Sequence, residues 1–411
     1  MPKPNSDRRA TERKHPWPMV RLGDVCEFSR GLTYSKSDEV QVSSNAVLRS
    51  NNVDLESGRL ILDELKYIRD SIEIPTSKRV SKGAILMCTA NGSKQHLGKV
   101  ALIDDNYDYA FGGFMGLLTP NDSIDPRYLY WQLMSFEFKR LVTSLTDGAN
   151  INNLKFADIS QFTFPLPPLS VQREIVARLE RELAAVEKMK KGFEALAETA
   201  KAEFKAELKE VFEEISRGGA ETRRLGEICE LISDCPHTTA KDEGVGIPLI
   251  RTPNVGFTRL MLAGVHRVSE DVYKQRTKRA IPLPGDLIFA REAPAGNVAV
   301  IQSGEKVCLG QRTVLLRLRK GCFPDYIAYS VLQPESQKIL IQKSTGSTVA
   351  HVNVCDIKVF PIPLPPLAVQ REVVARLSTA KARAEKLEAK AREGVAVCET
   401  MRKAILKEAF E

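Results

Sequence analysis

The sequence lacks the signatures that mark a self-sufficient catalyst. Its eight cysteines contain no C-x-x-C pair, and its five histidines, at positions 15, 96, 237, 266 and 351, are far apart with no H-E-x-x-H. These absences remove the common dithiol, zinc-ribbon and metalloprotease arrangements. No G-x-x-x-x-G-K-[ST] loop occurs, and Gly92-Ser93-Lys94 is a bare fragment of one. There is no D/N-P-P-F/Y/W stretch, no Gly-x-Gly fingerprint after a strand, and no P-D…E-x-K pattern. The usual marks of base methyl transfer and of DNA cleavage are therefore missing. No apolar run approaches the ~20 residues needed to span a bilayer. The polar, basic start MPKPNSDRRATERKH lacks the apolar core of a secretory signal. Scattered thiols without pairing motifs fit a reduced, cytoplasmic setting.

Two local groupings come nearest to a chemical site. Asp234-Cys235-Pro236-His237 has no second pair of ligands at usable spacing, so a polar turn held by side-chain hydrogen bonds is the better reading. Ser347 and Thr348 near His351 have no third residue to orient a base. No catalytic residue, no metal and no cofactor is expected in this chain. The expectation is a binding protein.

What the chain does have is length, charge and repetition. Its 411 residues, 43% apolar and 27% charged, suit two or three globular domains. Net charge is +8, and most of the excess lies in 216–361, where 20 basic residues face 14 acidic ones. A mild basic balance is compatible with a nucleic-acid partner.

PLPPLSVQREIVARL, Pro165 to Leu179, returns as PLPPLAVQREVVARL, Pro363 to Leu377, with 13 of 15 positions identical. The offset of 198 then holds without a gap to LKEVFE (Leu208 to Glu213) and LKEAFE (Leu406 to Glu411). Each copy opens after Pro-Pro and continues as a charged, Gly-poor run with apolar residues at helical spacing. In the first copy Val176, Leu179, Leu183, Val186, Phe193, Ala200, Phe204, Leu208, Val211 and Ile215 step mainly by three, four or seven, the seam of a two-helix coiled coil. In the second, Val374, Leu377, Ala384, Leu387, Ala391, Cys398, Ile405 and Leu406 form a thinner, Ala-rich seam. Ser170 can cap the first helix but Ala368 cannot cap the second, so capping is not what starts both. Some ~45 residues make a rod of about 68 Å at 1.5 Å per residue. Alone, each rod exposes its seam, so the two are expected to pair, antiparallel, with a globular domain at each end. That arrangement is a ruler.

The segments before the helices echo each other as well. VRLGDVCEF (Val20 to Phe28) pairs with RRLGEICEL (Arg223 to Leu231), and LRSNNV (Leu48 to Val53) with IRTPNV (Ile250 to Val255). In Ser81 to Ile103 and Leu283 to Ile301, a strand-like run (AILMC, DLIF) enters a polar loop and a second (KVALI, NVAVI) leaves it. Asp125 to Ser135 and Phe323 to Gln333 read as short buried helices. Gly148 to Phe162 pairs with Gly346 to Phe360. The fold class is α+β: two pseudo-symmetric mixed α/β domains joined by two long antiparallel coiled-coil helices. The expected boundaries are a disordered tail at 1–15, a domain at 16–164, a helix at 165–215, a second domain at 216–362 and a second helix at 363–411.

Two basic domains at fixed separation suit a split site on double-stranded DNA, with bases read by loop side chains and register set by phosphate contacts. The loops that interrupt the strands are the candidate readers. They offer Arg49, Ser50, Asn51, Thr89, Asn91, Ser93, Lys94 and His96 in the first domain. The second offers Arg251, Thr252, Asn254, Arg291, Asn297, Gln311 and Arg312. Arg pairs bidentately with guanine, and Asn or Gln with adenine.

With these residues in view, the chain resembles the specificity subunits of type I restriction-modification systems. The two PLPPL-x-V-Q-R-E-[IV]-V-A-R-L copies carry the resemblance, supported by LRSNNV, IRTPNV and GDLIF at Gly285 to Phe289. It covers everything after the N-terminal tail. It implies two target-recognition domains, each reading half of an asymmetric bipartite sequence, and a helix pair that sets the spacer and docks two modification (methyltransferase) subunits. Restriction subunits with nuclease and translocase activity would join them. S-adenosylmethionine and ATP would belong to those partners, not to this chain. The sequence departs from many relatives in having no acidic residue before the Gln of its two VQRE stretches, and in the Ala-rich second seam.

Overall fold

The computed structural model describes residues 16–146, 153–236, 238–292, 294–343 and 351–410. The tail expected at 1–15 lies outside them. The chain divides into two compact units, Met1–Lys191 with Val395–Glu411, and Gly192–Gly394.

In the first unit, strand Met19–Arg21 pairs antiparallel with Thr163–Pro165, joining the start of the domain to its end. The apolar alternation from Val20 to Phe28 is not one strand. Leu22–Val25 forms a single helical turn, because the Leu22 and Gly23 N–H groups donate to the Phe162 and Ser160 carbonyls. Leu22 and Val25, three apart, are both buried. Next comes an antiparallel sheet in the order Cys26–Arg30, Met115–Pro120, Ile85–Cys88, Val100–Leu102. Its two faces explain the unbroken apolar run AILMC. Ile85 and Met87 face helices Pro126–Met134 and Phe136–Thr146, while Leu86 and Cys88 face a core shared with Leu48 and Phe111. Side chains alternate along a strand, so a sheet covered on both faces needs apolar residues throughout. Leu48 and Phe111 belong to a smaller sheet ordered Glu39–Val40, Lys66–Ile68, Asn45–Leu48, Ala110–Phe111, whose last pairing is parallel.

The second unit repeats this plan. Thr222–Arg224 pairs with Pro361–Pro363. The main sheet runs Cys229–Asp234, Thr313–Leu318, Leu287–Ala290, Val298–Val300, and a smaller one runs Arg267–Val268, Ile247–Ile250, Cys308–Leu309, again with a parallel last pairing. Leu287 and Phe289 face the helix side, whereas Ile288 and Ala290 face the smaller sheet. Helices Pro324–Leu332 and Pro334–Lys343 match the first unit's pair. The second unit adds helix Glu270–Arg276.

The repeated motif has a structural cause. The long helices are Leu169–Arg217 and Leu367–Glu408, starting later than the Pro-rich stretch because Pro165 and Pro363 still belong to strands. Ser170 is already inside the first turn and is no N-cap. Gln172 and Gln370 are almost completely buried instead. Gln172 Oε1 accepts the Asp125 N–H at 2.7 Å, and its Nε2 donates to the Pro167 and Ser123 carbonyls at 2.8 and 3.2 Å. Gln370 does the same with Phe323 N–H (2.8 Å), Pro365 O (2.8 Å) and Gly321 O (3.1 Å). Tyr128 donates its hydroxyl to Pro165 O at 2.8 Å, and Tyr326 to Pro363 O at 2.7 Å. Burial pushes the Tyr128 phenol up to about 12 and raises Tyr326 as well, so both remain donors. One glutamine and one tyrosine thus clasp each long helix to the short buried helix of its own domain.

Within each unit the long helices pack against each other. In the first, Val176 and Leu179 are buried with Leu406 and Phe410, flanked by Leu183 and Ile405, and the Tyr128 ring meets Phe410 edge-on at 5.9 Å. In the second, Leu208, Val211 and Ile215 share a core with Leu377, with Phe204 and Val374 at its margin. Phe193 fits against Gly394, where an added Cβ would come within 2.5 Å of the ring. Arg376 pairs with Glu207 and Glu214. The start of one helix meets the end of the other in the first unit, and the reverse holds in the second: the pairing is antiparallel. Val186, Ala200, Ala384, Ala391 and Cys398 are buried along it, and Leu387 is half-buried. At Gly394 the second helix makes room for a large residue of the first.

Gln172→Ala leaves one buried N–H and two buried carbonyls short of a partner, an expected loss of about 2–4 kcal/mol. Ser170→Ala is expected to change stability by less than about 0.5 kcal/mol. Urea unfolding of the two variants measures the contrast; equal effects would refute the clasp.

Candidate nucleic-acid interface

The same loop framework is built twice. The strand ending at Leu48 turns into a 3-10 turn, Ser50–Asn52, and the strand ending at Ile250 into Thr252–Asn254. Asn52 Oδ1 accepts the Arg49 N–H at 2.9 Å, and its Nδ2 donates to Ile61 O (2.9 Å) and Glu64 O (3.1 Å). Asn254 likewise takes the Arg251 N–H at 3.1 Å and donates to Met261 O at 3.3 Å. Asn254 is therefore a buried support with both ends of its amide engaged. Asn52, its true counterpart, escaped the sequence reading, although the last Asn of SNNV and TPNV aligns. Asn51 corresponds to Pro253 and is exposed.

Other candidates also turn inward. Thr89 is buried and donates Oγ1 to Phe114 O at 3.0 Å, while Thr252 is buried in its turn. Arg291 Nε donates to Val352 O, its Nη1 pairs with Asp234 at 3.1 Å, and its Nη2 meets His351 Nε2 at 2.8 Å. His351 Nδ1 lies 2.6 Å from Glu292, which also pairs with Arg312. This chain of polar contacts fastens the loop leaving Ala290 to the segment at Val352. Asn297 Nδ2 donates to Val255 O at 2.9 Å, another internal tie. Thr89, Thr252, Arg291 and Asn297 are thus each buried or occupied within the loop framework.

The remaining candidates come together at the loop ends. In the first domain Asn91 Nδ2 donates to Ser50 Oγ at 2.9 Å and its Oδ1 accepts the Ser93 N–H, which sets the 89–99 loop beside Arg49. Lys94 is exposed and donates to Thr146 O at 2.8 Å, and His96 is half-buried with no partner for Nδ1 among the described residues. In the second domain Gln311 and Arg312 follow Gly310, which packs on the Arg251 stem. Arg312 is exposed and takes a left-handed φ of 64°, a conformation that costs a non-glycine residue energy and turns its side chain out of the sheet. Phe114, at the matching place, is 73% exposed.

Three of the buried cysteines are held as thiols. Burial pushes the Cys26 and Cys229 thiols up to about 12 and Cys308 to about 11, so these cysteines stay protonated. Among the described residues no group of three His, Cys, Asp or Glu is arranged to hold a metal. His237, Ser347 and Thr348 lie outside the described residues. No helix among those described is long and apolar enough to cross a membrane.

A duplicated scaffold that keeps its supports and varies its loops defines a recognition protein. The type I restriction modification DNA specificity domain matches this chain twice, at residues 14–193 and 218–395, and the chain belongs to that family: it is a type I DNA specificity subunit and not itself an enzyme. It is 24% identical to the EcoKI specificity subunit of Escherichia coli K12 over 96% of this chain and 88% of that one. It is equally 24% identical to the StySPI specificity subunit of Salmonella potsdam, with the same coverage. Its fold is similar to a chain from a solved type I restriction-modification assembly (TM-score 0.71, 22% identity, 96% and 97% covered). The HsdS subunit of Thermoanaerobacter tengcongensis is also similar (TM-score 0.59, 22% identity, 97% and 98% covered).

Asn254→Ala is expected to destabilise its unit by about 2–3 kcal/mol, since it strands a buried N–H and a carbonyl. Asn51→Ala is expected to stay within about 0.5 kcal/mol. Thermal unfolding compares them, and a stable Asn254→Ala would remove the support role.

Proposed function

We propose that this subunit reads an asymmetric bipartite duplex, one half-site per α/β domain, and that its two long helices set the number of base pairs between the halves. The observation that carries this reading is one scaffold built twice, with the same asparagine support and the same glutamine clasp, beneath loops of different length and content (89–99 against 291–297). Equal scaffolds with unequal loops suit two different half-sites. Each base-contacting set would combine with phosphate contacts that fix register. Two modification (methyltransferase) subunits and the restriction subunits would assemble on this chain and bring S-adenosylmethionine and ATP with them. The work belongs in the cytoplasm, beside the host DNA.

Co-expressing this chain with its modification subunit is expected to place adenine methylation at one split motif across the genome. Methylation-sensitive sequencing with and without the chain reads the outcome. An unchanged methylome despite an active modification subunit would point to a protein-bridging adaptor that ignores DNA.

The helices give a second expectation. Inserting one or two helical turns after Glu187 should lengthen the spacer of the methylated motif and leave both half-sites as they were. Altered half-site sequences would show that the helices do not set the spacing.

A further inference from the structure

Arg49 and Arg251 stand at equivalent places, and the fold prepares both in the same way. Each follows a strand of the smaller sheet, and each has its N–H held by the buried asparagine three residues on. Each lays its aliphatic stem on a glycine that follows the parallel partner strand. A Cβ at Gly112 would lie 3.7 Å from Arg49 Cγ, and one at Gly310 only 2.7 Å from Arg251 Cγ. Those glycines are held in turn by N–H donation to Leu48 O and Ile250 O at 2.9 and 2.8 Å. Yet Nε of both arginines is buried with no hydrogen-bond partner among the described residues. A buried donor without an acceptor is costly and uncommon. Finding it twice, at matching positions on matching scaffolds, marks a place made for an acceptor from outside.

The chemistry of that acceptor follows from what the two domains share. The loops around the two arginines differ in length and in side chains, as befits half-sites of different sequence. What any two such half-sites are bound to share is the sugar–phosphate backbone. A guanidinium presents a planar fork of donors that matches phosphate oxygens. Resting on the bipartite reading above, we propose that Arg49 and Arg251 are a matched pair of phosphate clamps, one per domain. They fix the register of each half-site while the unlike loops read its bases.

The test uses the full chain assembled with its modification subunit. Arg49→Met and Arg251→Met keep the stem on its glycine and remove the cation. Each is expected to weaken binding to the cognate duplex and to every single-base-pair variant by the same factor, about tenfold, and to lower the slope of log K against log salt by about 0.9. A scan of duplexes carrying one neutral methylphosphonate at a time should find, for the wild type, one sensitive phosphate per half-site that the matching Met variant no longer senses. Loss of preference at one base pair with an unchanged salt slope would make the residue a base reader and overturn the proposal. Unchanged affinity would overturn it too. If the Met variants lose their thermal transition, Arg49→Lys and Arg251→Lys take the same scan. They should keep the salt slope while the effect at that one phosphate shrinks, and a shifted base preference or an undiminished phosphate effect counts against the clamp. A wild-type assembly without duplex sequence preference would sink the bipartite reading itself. Preference with indifferent arginines would sink only the clamps.

Discussion

A buried side-chain amide holds each half of this protein together. Gln172 and Gln370 sit one turn into the long helices with almost no exposure, and each satisfies one N–H and two carbonyls. Buried backbone groups must find partners, and those next to prolines cannot all find them in a helix or a ladder. The glutamine supplies the missing partners at the junction where a Pro-rich strand ends, a rod begins and a short buried helix starts. The tyrosine hydroxyl adds the carbonyl of the first proline. Any change in the angle between rod and domain would break these bonds together. The clasp thus transmits the position of the rod to its own domain.

From that junction outward, the constraints relax. The main sheet of each unit is covered on both faces, so its strands Ile85–Cys88 and Leu287–Ala290 are apolar at every position. The smaller sheet carries the loop ends, and there the framework is maintained by a few polar supports: Asn52 and Asn254, with the hydrogen-bonded chain of Asp234, Arg291, His351, Glu292 and Arg312 added in the second unit. Supports of this kind let the exposed residues between them change without loss of the turn. That is the physical basis on which two domains of one ancestry come to present different surfaces.

The duplication made much of this legible in the chain. An unbroken offset of 198 identified two matched helices, strand-like runs located Ile85–Cys88, Val100–Leu102, Leu287–Ala290 and Val298–Val300, and helical spacing located the two short buried helices. The candidate interface was legible only as a region. Composition marks Asn254, Arg291 and Asn297 as suitable for bases, but a side chain able to hydrogen-bond a base can equally hydrogen-bond a backbone carbonyl. Which it does depends on what lies within about 3 Å, a distance set by segments 40 to 60 residues away. Arg291 and Asn297 turn inward for that reason, whereas Asn254 is engaged within its own turn, by Arg251 and Met261. Gly394 passed unremarked, because a glycine inside a helix shows its purpose only when Phe193 occupies the space beside it.

The sequence by itself determined the architecture: two α/β domains and two paired helices, since each follows from repetition or periodicity. Tertiary structure decided the roles. The repeated PLPPL-x-V-Q-R-E stretch proved to be a clasp whose glutamine is its center, because only folding buries that amide among three backbone partners. Arg49 and Arg251 became distinct from the other arginines for a related reason. Burial without an acceptor is a property of surroundings, and no spacing along the chain encodes it.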